Sequence, residues 1–371
     1  MEAEMLFLEV FGEVPDPRDF TARHPLPEIL FTAFAAVLCG ATHCTEMALF
    51  ATNRLALLRQ FIALENGAPS HDTFSRVLAA IDPAALNGAF MRFMAAFGEA
   101  ARLAVPEGQV AVDGKSLRRA YAKGCAHMPP LVVNVFACET FMSLAQTVAG
   151  EGGEREAAIA ALELLSLKGR TVTADALHCH RRMTTTIRER GGDYVIAIKG
   201  NQPTLAAAAN AALDRAAADR RTRFHHSEDI AHGRHERRRA FVVAFAQAPG
   251  GNGLAGLRAV ARLESWRTVD GKTAHKVRCY ALSRKMPAQQ VLATVRRHWR
   301  IENNLHWQLD VLLAEDKTRN RKNNAPHNLA VLRRLALNVL RADPEQIPLS
   351  HKRLKARWSD QDFLHLITHM R

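Results

Sequence analysis

Two apolar runs that each end in aspartate limit what this chain can fold into. Gln109-Val-Ala-Val-Asp113 and Arg170-Thr-Val-Thr-Ala-Asp175 read as short strands, each carrying a carboxylate to one edge of a sheet. Leu131 to Cys138 and Met142 to Val148 predict two further strands, joined as a hairpin around Glu139-Thr140. Glu154 to Leu165 is then a helix, Arg181 to Arg190 a basic helix stopped by Gly191-Gly192, and Asp193 to Lys199 a fifth strand. Three strands, helix, strand, helix, strand is the order of a mixed sheet with helices on its faces.

Residues 1–23 form a leader that reads as extended chain and turn around Val14-Pro-Asp-Pro-Arg18. From His24 to about Arg102 the pattern is helical, with Ser70 or Asp72 capping one helix and Asp82-Pro83 opening the next. Short helices joined by tight turns suit a helix-turn-helix that binds DNA and suit any small bundle equally. Beyond the sheet, Pro203 to about Arg221 is an Ala-rich helix. Phe224 to Arg284 then turns β-rich around the Pro249-Gly-Gly-Asn-Gly253 loop, and looks like an insertion. The expected domains are a helical part at 1–105, a mixed-sheet core at 106–222, the β-rich insertion at 223–286, core helices at 287–345 and a basic tail at 346–371.

Lys and Arg outnumber Asp and Glu by 50 to 37, and the surplus is spread over many local clusters, which favours a polyanionic partner modestly. Cys39, Cys44, Cys125, Cys138, Cys179 and Cys279 show no CxxC spacing and read as reduced, mostly buried thiols of a cytoplasmic protein. His178-Cys179-His180 cannot build a tetrahedral metal site without distant partners. The longest apolar run, Ile29 to Ala41, is too short to span a bilayer, and no membrane partner is expected.

Val295 to Leu313 holds no Pro or Gly and predicts one helix. At ~100° per residue, Val295, Trp299, Leu305, Leu309, Leu312 and Leu313 fall within about 80° of Glu302. Glu302 therefore sits in an apolar stripe, where an unpaired carboxylate is costly. It is a partner in a buried ion pair or a metal ligand. Taken with the two strand-end aspartates it suggests three converging carboxylates, whose repulsion two divalent cations about 3.5–4 Å apart would resolve while clamping a phosphodiester. Oxygen-only ligands favour Mg²⁺ or Mn²⁺.

These residues resemble a family, the DDE transposases of bacterial insertion sequences, in particular the ISAs-type group with the H-repeat-associated proteins. The resemblance spans nearly the whole chain. It is carried by Val14-Pro-Asp-Pro-Arg18, Pro69-Ser-His-Asp-Thr-Phe74, Val112-Asp-Gly-Lys115, Thr173-Ala-Asp-Ala176, Lys199-Gly-Asn-Gln202 and His232-Gly-Arg234. The most specific block is His298-Trp-Arg-Ile-Glu-Asn303 with Leu305-His-Trp307 and Leu332-Arg-Arg-Leu-Ala-Leu-Asn338. The resemblance implies an RNase H-like core with Asp113, Asp175 and Glu302 as catalytic, Mg²⁺-binding triad, Mn²⁺ serving as substitute. It implies cleavage at the element's inverted repeats, attack of the freed 3′-hydroxyl on target DNA, and a homodimer assembled on double-stranded DNA. Where the wider superfamily has Tyr, Arg and Lys around the glutamate, this chain has Val295, His298 and Leu309. Lys115, Lys199, Arg234, Arg238, Arg319 and a protonated His298 are the expected phosphate contacts. His306, one turn after Glu302, orients it or is a core histidine. The rival readings are a decayed DNA-binding copy, a nuclease without strand transfer, and a metal-free carboxylate-pair hydrolase.

Overall fold

The computed structural model describes residues 2–19, 21–100, 108–121, 128–231, 233–246 and 253–368. Cys125, His232, most of the Pro249–Gly253 loop and the domain boundary expected at residue 105 lie outside the described residues. Six helices come first: α1 (Glu2–Gly12), α2 (Leu26–Leu38), α3 (Cys44–Asn53), α4 (Leu55–Leu58), α5 (His71–Ala80) and α6 (Pro83–Ala100). The leader is thus not extended throughout. Its first part is a helix that places Phe7 and Phe11, stacked at 4.3 Å, in a fully buried aromatic cluster with Phe31, Phe34 and Phe93. The expected caps hold: Ser70 Oγ accepts from Thr73 N at 3.2 Å, and Asp82 Oδ1 from Ala84 N at 3.0 Å.

The middle of the chain follows the expected order: β1 (Gly108–Ser116), β2 (Leu131–Ala137), β3 (Ser143–Val148), α7 (Gly153–Glu163), β4 (Arg170–Ala174), α8 (Arg181–Glu189), β5 (Asp193–Ile198) and α9 (Pro203–Ala218). Four long strands come next: β6 (His225–Ala231), β7 (Arg234–Ala244), β8 (Ala259–Val269) and β9 (Lys272–Leu282). They continue the core sheet, because β9 pairs antiparallel with β5 from Val195↔Leu282 to Ile198↔Cys279. The result is one nine-stranded mixed sheet in the order β3-β2-β1-β4-β5-β9-β8-β7-β6. Alternation along β1, β4 and β5 sends Val110, Val112, Val172 and Ile196 toward α7, α8 and α9. The opposite face receives the remaining helices.

Those are α10 (Ala288–His298), a π-helical turn (Ile301–His306), α11 (Trp307–Val311), α12 (Ala325–Ala342), α13 (Leu349–Trp358) and α14 (Asp360–Thr368). The expected continuous helix over Val295–Leu313 is therefore interrupted. α12 is the central strut. Asn328 Nδ2 donates to Leu78 O and Ile81 O, both at 2.9 Å, and Asn338 Nδ2 donates to Ser143 O at 2.8 Å. One end of α12 thus grips the N-terminal helices and the other the sheet. Residues 346–371, expected as a basic tail, instead contribute two helices to the core: Phe363 packs against Phe50 and Phe61, and Cys39 Sγ donates to Ala356 O at 3.4 Å. Leu26–Leu38, α12 and the π turn share one buried apolar cluster. No helix among the described residues is long and apolar enough to cross a membrane.

Candidate metal centre

β1 and β4 run parallel, and their last paired residues are Val112 and Ala174. Asp113 and Asp175 are the next residues in each chain direction, so both stand at the level where the β1–β4 pairing ends. The strands end differently. β1 continues to Ser116 against β2, so Asp113 lies within a strand, whereas Asp175 caps a 3₁₀ turn by accepting from Leu177 N at 2.8 Å.

Glu302 comes from the opposite direction, on the π turn. Trp307 N bonds to Glu302 O across five residues, one more than an α-helix allows, and Arg341 of α12 donates to Asn304 O in the same turn. On this turn Glu302 lies outside the buried apolar stripe. Leu305 and Leu309 stay fully buried, while the Glu302 side chain is 49% exposed and faces a cavity of roughly 560 Å³ that Asp113 and Asp175 also line. Glu302 is thus half exposed, with the buried His306 as its neighbour on the turn.

His306, a further turn along, lies between two of the carboxylates. Its Nδ1 is 3.4 Å from Glu302 Oε2 and 3.6 Å from Asp113 Oδ2, and one ligand atom from each of the three falls within 4.8 Å of the others. Burial, and then Glu302 and Glu154, push the Asp113 carboxyl up to about 8. The hydrogen bond from His306 holds Glu302 well below the usual carboxylate range. Carboxylates this close oppose each other's ionisation, and the more buried Asp113 is the one pushed up. Carboxylate oxygens with one imidazole suit Mg²⁺ or Mn²⁺, and the residues present fit such an ion.

Of the expected phosphate contacts, only Lys199 and His298 line this cavity. Lys199 is exposed. His298 is not a cation: burial pushes its pKa down to about 4 against the pull of Asp175 and Glu302, and its Nδ1 is hydrogen-bonded to Thr173 Oγ1 at 3.0 Å. Lys115 is only 7% exposed and paired with Asp310 at 2.7 Å and Asp316 at 3.4 Å, so it is a buried structural ammonium. Arg238, 11% exposed, is held by Asp229 and Glu236. Arg319 is exposed but lines neither this cavity nor the next.

A second groove adjoins the first, sharing Arg278, Val295 and Trp299 with it. Alternation and register put Arg234, Glu236 and Arg238 of β7, Ser265 and Arg267 of β8, and Lys276 and Arg278 of β9 on one sheet face, which Arg296 of α10 rims. Trp299, 47% exposed, stands at the junction with the Arg278 guanidinium 5.7 Å from its ring centroid. In sequence the alternation of Arg267, Lys276 and Arg278 reads as an ordinary solvated strand face, and Arg296 as part of a basic helix end.

Two family models match the chain. One, described as DDE_Tnp_1-associated, covers residues 8–94, and one described as Transposase DDE domain covers residues 106–339. The chain belongs to the DDE transposases, in the H-repeat group. The H repeat-associated protein YhhI of Escherichia coli strain K12 is 30% identical over 361 residues, 92% of each chain. YncI of Escherichia coli O157:H7 is 31% identical over 343 residues, 90% of this chain and 87% of its own. A protein of the dhlA 3′ region in Xanthobacter autotrophicus is 36% identical over 282 residues, 74% of this chain and 92% of its own. Membership accounts for the mixed sheet, which is an RNase H-like DDE core, and it implies DNA as partner and a divalent cation as helper.

Proposed function

We propose that this transposase cuts DNA at the ends of its insertion sequence and joins the freed 3′-hydroxyl to target DNA, with Mg²⁺ as resident cation and Mn²⁺ as substitute. The supporting observation is that Asp113, Asp175 and Glu302 line one cavity, which adjoins a groove lined by arginine and lysine. Divalent cations held by these carboxylates would supply Lewis-acid stabilisation to the attacking and leaving oxygens of an in-line displacement. The chain's own groups do the rest. His306 steers Glu302 and Asp113 toward one point, and the Thr173 hydrogen bond fixes the His298 ring in the cavity wall. Arg267, Lys276 and Arg278 carry phosphates past the site, and Lys199 sits at its mouth. Two ends with one such site per chain call for a homodimer on DNA.

The test uses duplexes ending in the element's inverted repeat, with Mg²⁺. Asp113→Asn, Asp175→Asn and Glu302→Gln should each lower cleavage at least about a hundredfold while DNA binding persists, the loss typical when a group stabilising transition-state charge is removed. Substantial cleavage by any one of them removes that residue from the catalytic set. Binding without cleavage by the wild type would mark a decayed copy, and cleavage without joining a nuclease.

A further inference from the structure

Two of the blocks that carry the family resemblance, Val14-Pro-Asp-Pro-Arg18 and Pro69-Ser-His-Asp-Thr-Phe74, have no part in the site above. The fold brings them together around a pocket of roughly 700 Å³, which shares no lining residue with the carboxylate cavity or the basic groove. One wall is α5. Ser70, Thr73, Arg76 and Val77 recur at three- and four-residue steps, which puts them on one helix face. The other wall is the chain from Pro17 to His24. Arg18 holds it in shape by bonding the two Asp16 carboxylate oxygens at 2.8 and 2.7 Å and donating to His24 O at 2.8 Å. Asn66 Nδ2 donates to Arg23 O at 2.5 Å and ties this chain to the turn before α5.

Asp16 neutralises Arg18, and Asp19 on the lining offsets one more charge, so Arg23 and Arg76 leave the pocket a positive surplus. Both arginines are exposed, and neither makes an ion pair among the described residues; Arg76 Nε only reaches Asp72 O at 3.4 Å. Ser70 Oγ lies 3.0 Å from Thr73 Oγ1, a contact that uses one of the two hydroxyl hydrogens and leaves the other free. His24 points to a ligand independently. It is 8% exposed and lines the pocket, yet its Nδ1 is buried with no hydrogen-bond partner, which is unfavourable unless something meets it. Burial above all, with Arg18 and Arg23 adding to it against the pull of Glu28, holds this ring below its usual pKa, so it offers a neutral N–H.

Guanidinium groups beside serine and threonine hydroxyls are how proteins hold nucleic-acid phosphates. We propose that this pocket binds a backbone phosphate of the DNA on which the transposase acts, with Arg23 and Arg76 as cations and the Ser70–Thr73 hydroxyl pair and His24 Nδ1 as donors. Such a contact fixes the position of the DNA and is indifferent to its sequence. The proposal takes DNA as partner from the family and needs neither the metal nor the cleavage reading above.

The experiment measures the affinity of the full chain for short DNA duplexes across a salt series, in EDTA so that no cleavage intervenes. Arg23→Gln combined with Arg76→Gln should weaken binding at least about tenfold, alike for inverted-repeat and unrelated duplexes. It should also flatten the slope of log affinity against log salt by about 1, the value for one phosphate contact. Arg215→Gln combined with Arg220→Gln, which removes two exposed charges elsewhere, should do neither. His24→Leu removes no charge, so it should lower affinity severalfold with the slope unchanged, while His24→Asn, whose amide nitrogen takes the Nδ1 place, should keep it. Unchanged affinity and slope in the first arginine pair would overturn the proposal, as would an equal loss in the second pair, which marks general charge alone. Inorganic phosphate taken up by wild type in calorimetry and not by the first pair, with DNA affinity intact, would assign the pocket to a small phosphate compound and overturn it too. Thermal melts of the first pair should match wild type; should His24→Leu melt lower, that pair decides. Failure of the cleavage reading leaves this test untouched, because binding is read without metal.

Discussion

Lys115 shows how a residue read from a motif changes meaning once its surroundings are known. Next to Asp113 in sequence, it looks like a phosphate ligand, yet it is buried against Asp310 and Asp316. Lys115→Met should therefore cost about 3 kcal/mol of stability, the order expected when one partner of a buried ion pair is removed, and leave DNA affinity unchanged. Chemical denaturation and a binding titration check both halves. His298 misled in the same way, since burial and not residue type sets its charge. Its imidazole is neutral in the fold, while the unfolded chain takes a proton below about 6.5. Its contribution is therefore complete above pH 6.5 and lost as pH falls toward 4. Wild-type melting temperature should fall over that window, and His298→Gln should flatten the slope; an unchanged slope would show that His298 is not held neutral. The neighbouring positions of Asp113 and Asp175 were legible because the ends of apolar runs are a property of sequence. The state of Lys115 was not, because it depends on Asp310 and Asp316, about two hundred residues away.

At the scale of elements, helix caps and strand order were readable from Ser70, Asp82-Pro83 and the apolar runs. The π turn was not. Placing residues at a fixed angle assumes an α-helix, and nothing in Ile301-Glu-Asn-Asn-Leu-His306 announces one extra residue per turn. Glu302 sits on that turn and lines the cavity. Deleting Asn303 should restore an α turn, keep the flanking helices in register and leave circular dichroism near wild type, while Mn²⁺ uptake is lost. Unaltered uptake would mean that the wide turn does not aim Glu302. α1 was also missed, hidden by the proline-rich stretch behind it, and α13 was masked by its basic residues, of which Lys352 is buried against Asp343.

For the whole molecule, the N-terminal helices are packed on the rest of the chain. α2, α5 and α6 lie against α12, and α13 and α14 close the same apolar cluster from the far end of the chain. A fragment of about residues 1–105 would expose the faces that cover Leu329, Leu332 and Phe363. It should show dispersed helicity without a cooperative melt, and a sharp transition in that fragment would refute this view. The β-rich segment likewise extends the sheet, which carries the basic face up to the carboxylates. The most direct measurement of the central claim is anomalous diffraction from crystals of the full chain soaked in Mn²⁺. The account predicts anomalous density in the cavity, roughly 2.0–2.4 Å from oxygens of Asp113, Asp175 and Glu302. Density confined to other acidic clusters, with that cavity empty at saturating Mn²⁺, would contradict it.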